Sequence, residues 1–154
     1  MKTLLTAVVL GLSLTACATA GRLSDAEKVE LYRAHAGEPV RDFRYYGQLN
    51  GWTSLGDSAL AVWTRPSEAW LLDLSGPCQD LDYTPAIGLT STMSRVSARF
   101  DRVLVRSRSS INIPCHISRI RPLDVAAVRE AQRRNPEDAP LSEPPSDQVP
   151  DSGT

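Results

Sequence analysis

"ALAVWTRPSEAWLLDL", residues 59–74, carries the fold. Leu60, Val62 and Thr64 alternate with Ala59, Ala61 and Trp63, and a period of two marks a strand. Arg65-Pro66-Ser67-Glu68 follows, with proline where a type I turn needs its fixed φ. Ala69 to Leu74 then reads as a second strand. Strands joined by so short a turn pair antiparallel. Leu60 and Val62 point away from Trp63, so a core on their side puts Trp63 on the outer face or beneath a helix.

The same period extends upstream. Phe43, Tyr45, Gly47 and Leu49 alternate with Arg44, Tyr46 and Gln48. Asn50-Gly51 is a tight-turn signal, and Trp52 to Leu55 reads as a short returning strand before the turn at Gly56-Asp57. Downstream, residues 79–94 are polar and irregular, with room for a short helical turn. Val96, Ala98 and Phe100 then alternate with Arg95, Ser97 and Arg99. Val103 and Val105 fall out of phase with Phe100, so either a bulge sits at Asp101-Arg102 or two strand pieces meet there. Ser107 to Asn112 reads as a hairpin loop, and Cys115 to Arg121 as the last strand.

Helices flank these strands. Ser24-Asp25-Ala26-Glu27 matches the S-x-x-E capping box, in which serine and glutamate each satisfy the other's free amide. Val29, Tyr32 and Ala36 recur at helical spacing, and Gly37 and Pro39 end the run. At the other end Asp124 can cap "VAAVREAQRR", Leu123 can staple onto Val128, and Pro136 stops the helix. The expected fold class is α+β: a single antiparallel sheet, a meander of about five to six strands, with a helix near each end. The domain spans residues 24–134. Residues 135–154 carry Glu137, Asp138, Glu143, Asp147 and Asp151 without a basic residue, and are dense in proline and serine. Such composition buries too little apolar surface to offset ordering and reads as a disordered tail.

The first residues speak about compartment. Lys2 precedes an apolar run from Leu4 to Leu14, which is short of the ~20 residues that span a bilayer and reads as an export leader over residues 1–16. Leu14-Thr15-Ala16-Cys17 resembles the lipobox of bacterial lipoprotein leaders, which implies a lipid anchor on Cys17 and a tether over residues 17–23. By the same resemblance to bacterial lipoproteins, Ala18 in place of aspartate implies sorting to the outer membrane. Ala18-Thr19-Ala20 also fits ordinary leader cleavage, which would leave a soluble periplasmic protein and discard Cys17. Cys78 and Cys115 remain as two cysteines in an oxidising compartment and are expected to pair.

"LNGWTSLGDSALAVWTRPSEAWLLDLSGPC" (49–78), "ARFDRVLV" (98–105) and "CHISRIRPLD" (115–124) together resemble a family of small exported bacterial proteins classed as a domain of unknown function. The likeness covers residues 24–130 and implies an exported, often lipid-anchored protein. It carries no activity and no catalytic residue with it.

Side-chain chemistry narrows the field without naming a reaction. The formal net charge is −1, so bulk charge selects no partner class. His35 and His116 are the histidines. His35 falls at a helix C-terminus, where a cation is favoured. His116 sits beside Cys115 on a strand, where neighbours face opposite ways. Asp73, Asp80, Asp82 and Asp101 lack EF-hand spacing, and neither C-x-x-C nor H-E-x-x-H occurs, so no metal or cofactor is expected. A possible binding surface combines Trp52 and Trp63 with Arg95, Arg99, Arg119 and Arg121. Aromatic residues anchor interfaces, and arginines attract anionic envelope polymers or lipid head groups. Two readings follow. One is a non-catalytic binding or structural module of the cell envelope, tethered to the membrane through Cys17 and meeting a polymer or protein partner, with nucleic acid excluded by the compartment. The other is a small enzyme acting on envelope material, with a histidine meeting a carboxylate in a cleft.

Overall fold

The computed structural model describes residues 23–106 and 114–134. The leader, Cys17, the 107–112 loop and the acidic tail lie outside the described residues. The chain folds as α+β. Helix α1 (Asp25–Ala34) precedes strands β1 (Asp42–Arg44), β2 (Gly51–Ser54), β3 (Ala59–Arg65), β4 (Glu68–Leu74), β5 (Ile87–Leu89), β6 (Arg95–Ser97), β7 (Arg102–Val105) and β8 (Pro114–Leu123), and helix α2 (Val125–Arg134) follows.

Six strands form a curled antiparallel sheet in the order β2-β3-β4-β8-β7-β5. The quoted hairpin is its centre: Leu60 pairs with Leu72 and Val62 with Trp70 across the Pro66-Ser67 turn. The alternation sorts β3 and β4 onto two cores. On one face Leu60, Val62, Leu72 and Leu74 pack with Phe43, Val96, Val103, Ile117 and Ile120. On the other, Ala59, Ala61, Ala69 and Leu71 lie under the helices, against Tyr32, Val125 and Val128. Small side chains at 59, 61 and 69 let the helices approach closely. Trp63 is therefore beneath a helix: its ring meets Tyr32 edge-on, with centroids 6.4 Å apart.

The caps read from sequence form. The Ser24 hydroxyl accepts from the Glu27 amide at 3.3 Å, and the Glu27 carboxylate accepts from the Ser24 amide at 2.8 Å. The Asp124 carboxylate accepts from the Ala127 amide at 3.0 Å and starts α2.

Three expectations are corrected. Asn50-Gly51 does not join β1 to β2 as a hairpin. The Asn50 amide instead donates to the Trp63 carbonyl at 2.7 Å, starting the β2–β3 ladder. β1 pairs with β6, Phe43 against Val96, as a separate two-stranded ribbon. Phe100 does not continue the strand of Val96. Two strand pieces meet here, and residues 98–100 form a turn between β6 and β7 that leaves Phe100 80% exposed. The irregular 79–94 stretch holds β5, the edge strand beside β7, as well as a turn.

Cys78 and Cys115 are bonded, with Cα atoms 5.6 Å apart. The bond ties the segment after β4 to the start of β8, under buried Leu81 and Val103.

Candidate functional site

β8 is the floor of a groove of about 1040 Å³. Where β8 passes beyond its ladder with β7, its carbonyls are taken by other segments. The Val40 amide donates to the Ile120 carbonyl at 2.9 Å, and the Arg99 amide to the Ile117 carbonyl at 2.7 Å. The Ala98 amide donates to the Arg41 carbonyl at 2.9 Å, and the Ser75 amide to the His116 carbonyl at 2.9 Å. Three backbone segments remote in sequence are thus stitched around one stretch of β8. Their side chains converge: Arg41 and Asp42 from the first, Ser97, Arg99 and Phe100 from the second, Ser75 from the third, with His116, Ser118 and Arg119 from the floor.

The 97–101 turn is held from behind by Asp101, which is 6% exposed. Its carboxylate accepts from the Ser97 amide at 2.7 Å and from the Thr90 hydroxyl at 2.7 Å. A carboxylate so occupied serves the turn, which explains a buried acid without any cation. Arg99 takes a left-handed φ of 70°, a conformation that costs a non-glycine residue roughly 1–2 kcal/mol. Packing around Asp101 holds it there.

The groove is cationic. Among the described residues Arg41 and Arg99 have no carboxylate partner. Arg119 is half-exposed, with its Nη1 3.9 Å from the Asp73 Oδ2. Asp73 is buried, and its Oδ1 accepts from Arg33 Nη2 of α1 at 3.1 Å. That hydrogen bond, ahead of the cost of burial, raises the Arg33 pKa above its ordinary value. Asp42 lines the groove but is ion-paired with Arg95 across the β1–β6 ribbon.

The residues singled out from sequence therefore separate. Arg99 and Arg119 meet in the groove; Arg95 stands beside it, paired; Arg121 is half-buried on β8 outside it. The two tryptophans are not part of it. Trp52 packs half-buried against the Ile117 side of the sheet and Trp63 against the helices. Trp52 pairs with Val62, the β3 neighbour of Trp63, so the two tryptophans serve opposite cores rather than one platform. Sequence reasoning missed Arg41 and Phe100. Arg41 sits at the foot of β1, whose pairing with β6 is non-local; Phe100 was hidden by an apparent alternation, because β6 ends three residues before it.

A second, smaller hollow of about 430 Å³ lies by Arg44, Tyr46, Arg65 and Glu68. It holds one arginine beyond its ion pair: Glu68 accepts from Arg65 at 3.2 Å and from Thr64 at 2.9 Å, while Arg44 donates to the Tyr46 hydroxyl at 3.2 Å. Among the described residues no three of His, Cys, Asp and Glu gather as metal ligands, and no helix is long and apolar enough to cross a membrane. The side chains of His35 and His116 make no hydrogen bond or ion pair among the described residues.

A model of a family of unknown function, DUF6491, matches residues 1–139. The chain belongs to that family. No curated protein and no solved structure matches it. DUF6491 membership spans the described domain and so includes every residue of the groove.

Proposed function

We propose that this DUF6491 protein is a non-catalytic binding module of the cell envelope, which holds an anionic envelope ligand in the groove over β8. The observation that carries the reading is the convergence of Arg41, Arg99 and Arg119 from three separate segments on one concavity. Two of them lack a carboxylate partner among the described residues. Like charges brought together without counter-ions repel, so an arrangement of this kind costs stability that an incoming anion relieves. Guanidinium groups suit the task because they meet carboxylates and phosphates with paired donors. The lipobox-like Leu14 to Cys17 supports a tether that keeps the module at the membrane, on the periplasmic side of the outer membrane.

Titration calorimetry with tripolyphosphate as the anion probe tests the groove. Binding is expected at low salt, weakening as salt is raised, and largely lost in a variant carrying both Arg41→Ala and Arg119→Ala. Undiminished binding in that variant would place the anion elsewhere and remove the basis of the reading.

A further inference from the structure

The groove holds more than charge. Phe100 lines it and is 80% exposed, directly after Arg99. A strand would send these two side chains to opposite faces. The turn, with Arg99 at a φ of 70° and Asp101 anchored behind it, presents both over the same concavity. Alongside lie Ser75 and Ser97, whose hydroxyls have no partner among the described residues. An uncovered aromatic face, arginines and unpartnered hydroxyl groups thus share one site.

We propose that the ligand is an acidic saccharide, with a sugar ring stacked on Phe100 and its carboxylate or phosphate held by Arg99 and Arg119. The proposal rests on the anion-binding reading of the groove and adds the chemical class of the ligand. The electron-rich face of an aromatic ring attracts the slightly positive C–H edge of its neighbour, and a pyranose presents such C–H groups on its flat face. Ring hydroxyls can bond Ser75 and Ser97. A volume of about 1040 Å³ stands at the upper end of small-ligand pockets, roughly 300–1,000 Å³, which suits a short run of sugars. A bilayer fits less well, because Phe100 lies within a concavity, beside three arginines, that a flat membrane cannot enter. A nucleic-acid strand fits less well too. It carries a charge at every nucleotide, whereas the groove offers three arginines beside the acids Asp42 and Asp73.

The test compares ligands on the full-length protein in mild detergent. An acidic trisaccharide of galacturonate, neutral maltotriose and inorganic pyrophosphate are titrated against wild type, Phe100→Ala, Phe100→Tyr and Arg99→Ala. Phe100 is largely exposed, so its removal leaves the fold intact. The expected result is that Phe100→Ala weakens the acidic trisaccharide about tenfold and leaves pyrophosphate within about twofold, a split that aromatic stacking alone produces. Phe100→Tyr should restore the sugar affinity, Arg99→Ala should weaken both anions, and maltotriose should bind far more weakly than the acidic sugar. If pyrophosphate binds and Phe100→Ala leaves the trisaccharide unaffected, the saccharide assignment fails while the anion groove stands. If neither anion binds, the groove reading itself fails. Tighter binding of oligothymidylate or of phosphatidylglycerol nanodiscs than of the acidic sugar overturns the assignment in favour of those ligands.

Discussion

Arg99 sets stability against function within one residue. Its φ of 70° suits glycine, yet its guanidinium is one of the groove's cations without a carboxylate partner among the described residues. Arg99→Gly should therefore leave the fold as stable as wild type or raise it by up to about 1 kcal/mol, while weakening tripolyphosphate. Urea unfolding beside calorimetry reads both, and a clear loss of stability would mean that the side chain braces the turn. Tyr45 makes a different prediction. Burial raises its phenol pKa above the ordinary value, so the unfolded chain ionises first. Its contribution is fully present below about pH 10 and is lost as pH rises through the folded value. Tyr45→Phe should flatten the alkaline fall in stability measured by denaturant titration from about pH 9 upward; an unchanged slope would assign that fall to other groups. The pKa of Glu27 moves the other way, lowered by its bond to the Ser24 amide. The α1 cap therefore contributes above the ordinary carboxylate range and weakens as pH falls through the lowered value.

At the scale of elements, what was legible in the sequence was local. The capping box of Ser24 and Glu27, the hairpin through Pro66-Ser67, the Asp124 cap and the strand containing Ile117 depend on residues a few positions apart, and each forms. The pairing of β1 with β6 joins residues more than fifty positions apart through three-residue strands. Strands so short carry too little periodicity to announce a partner, and that pairing builds one wall of the groove. The arginines showed as a cluster in the chain, but backbone bonds to Ile117 and Ile120 selected which of them meet. The disulfide was legible because the sequence beyond Cys17 holds two cysteines, which leave one pairing. It closes a separation of 37 residues, worth roughly 4 kcal/mol by the chain-entropy model. Cys115→Ser should lower unfolding stability by about that amount and leave Cys78 as a thiol that labels on denaturation. A variant as stable as wild type would show that the two cores already fix the junction without it.

For the whole molecule, the curled sheet separates two cores. Both faces carry a packed core, and the groove opens over residues 116–119 of β8 at the margin of the larger one, where Val40 and Ala98 pack. If Cys17 carries the lipid anchor, Cys17→Ser should move the protein from the membrane fraction to the soluble periplasm; wild type that is already soluble, beginning at Gly21, would favour ordinary leader cleavage. The most direct measurement of the groove claim is an amide chemical-shift titration with pyrophosphate at low salt. Shifts should concentrate at Arg41, at Ser97 to Phe100 and at His116 to Arg119, and saturate together. Saturating shifts around Arg44, Tyr46 and Arg65 instead, with the β8 groove unmoved, would contradict it.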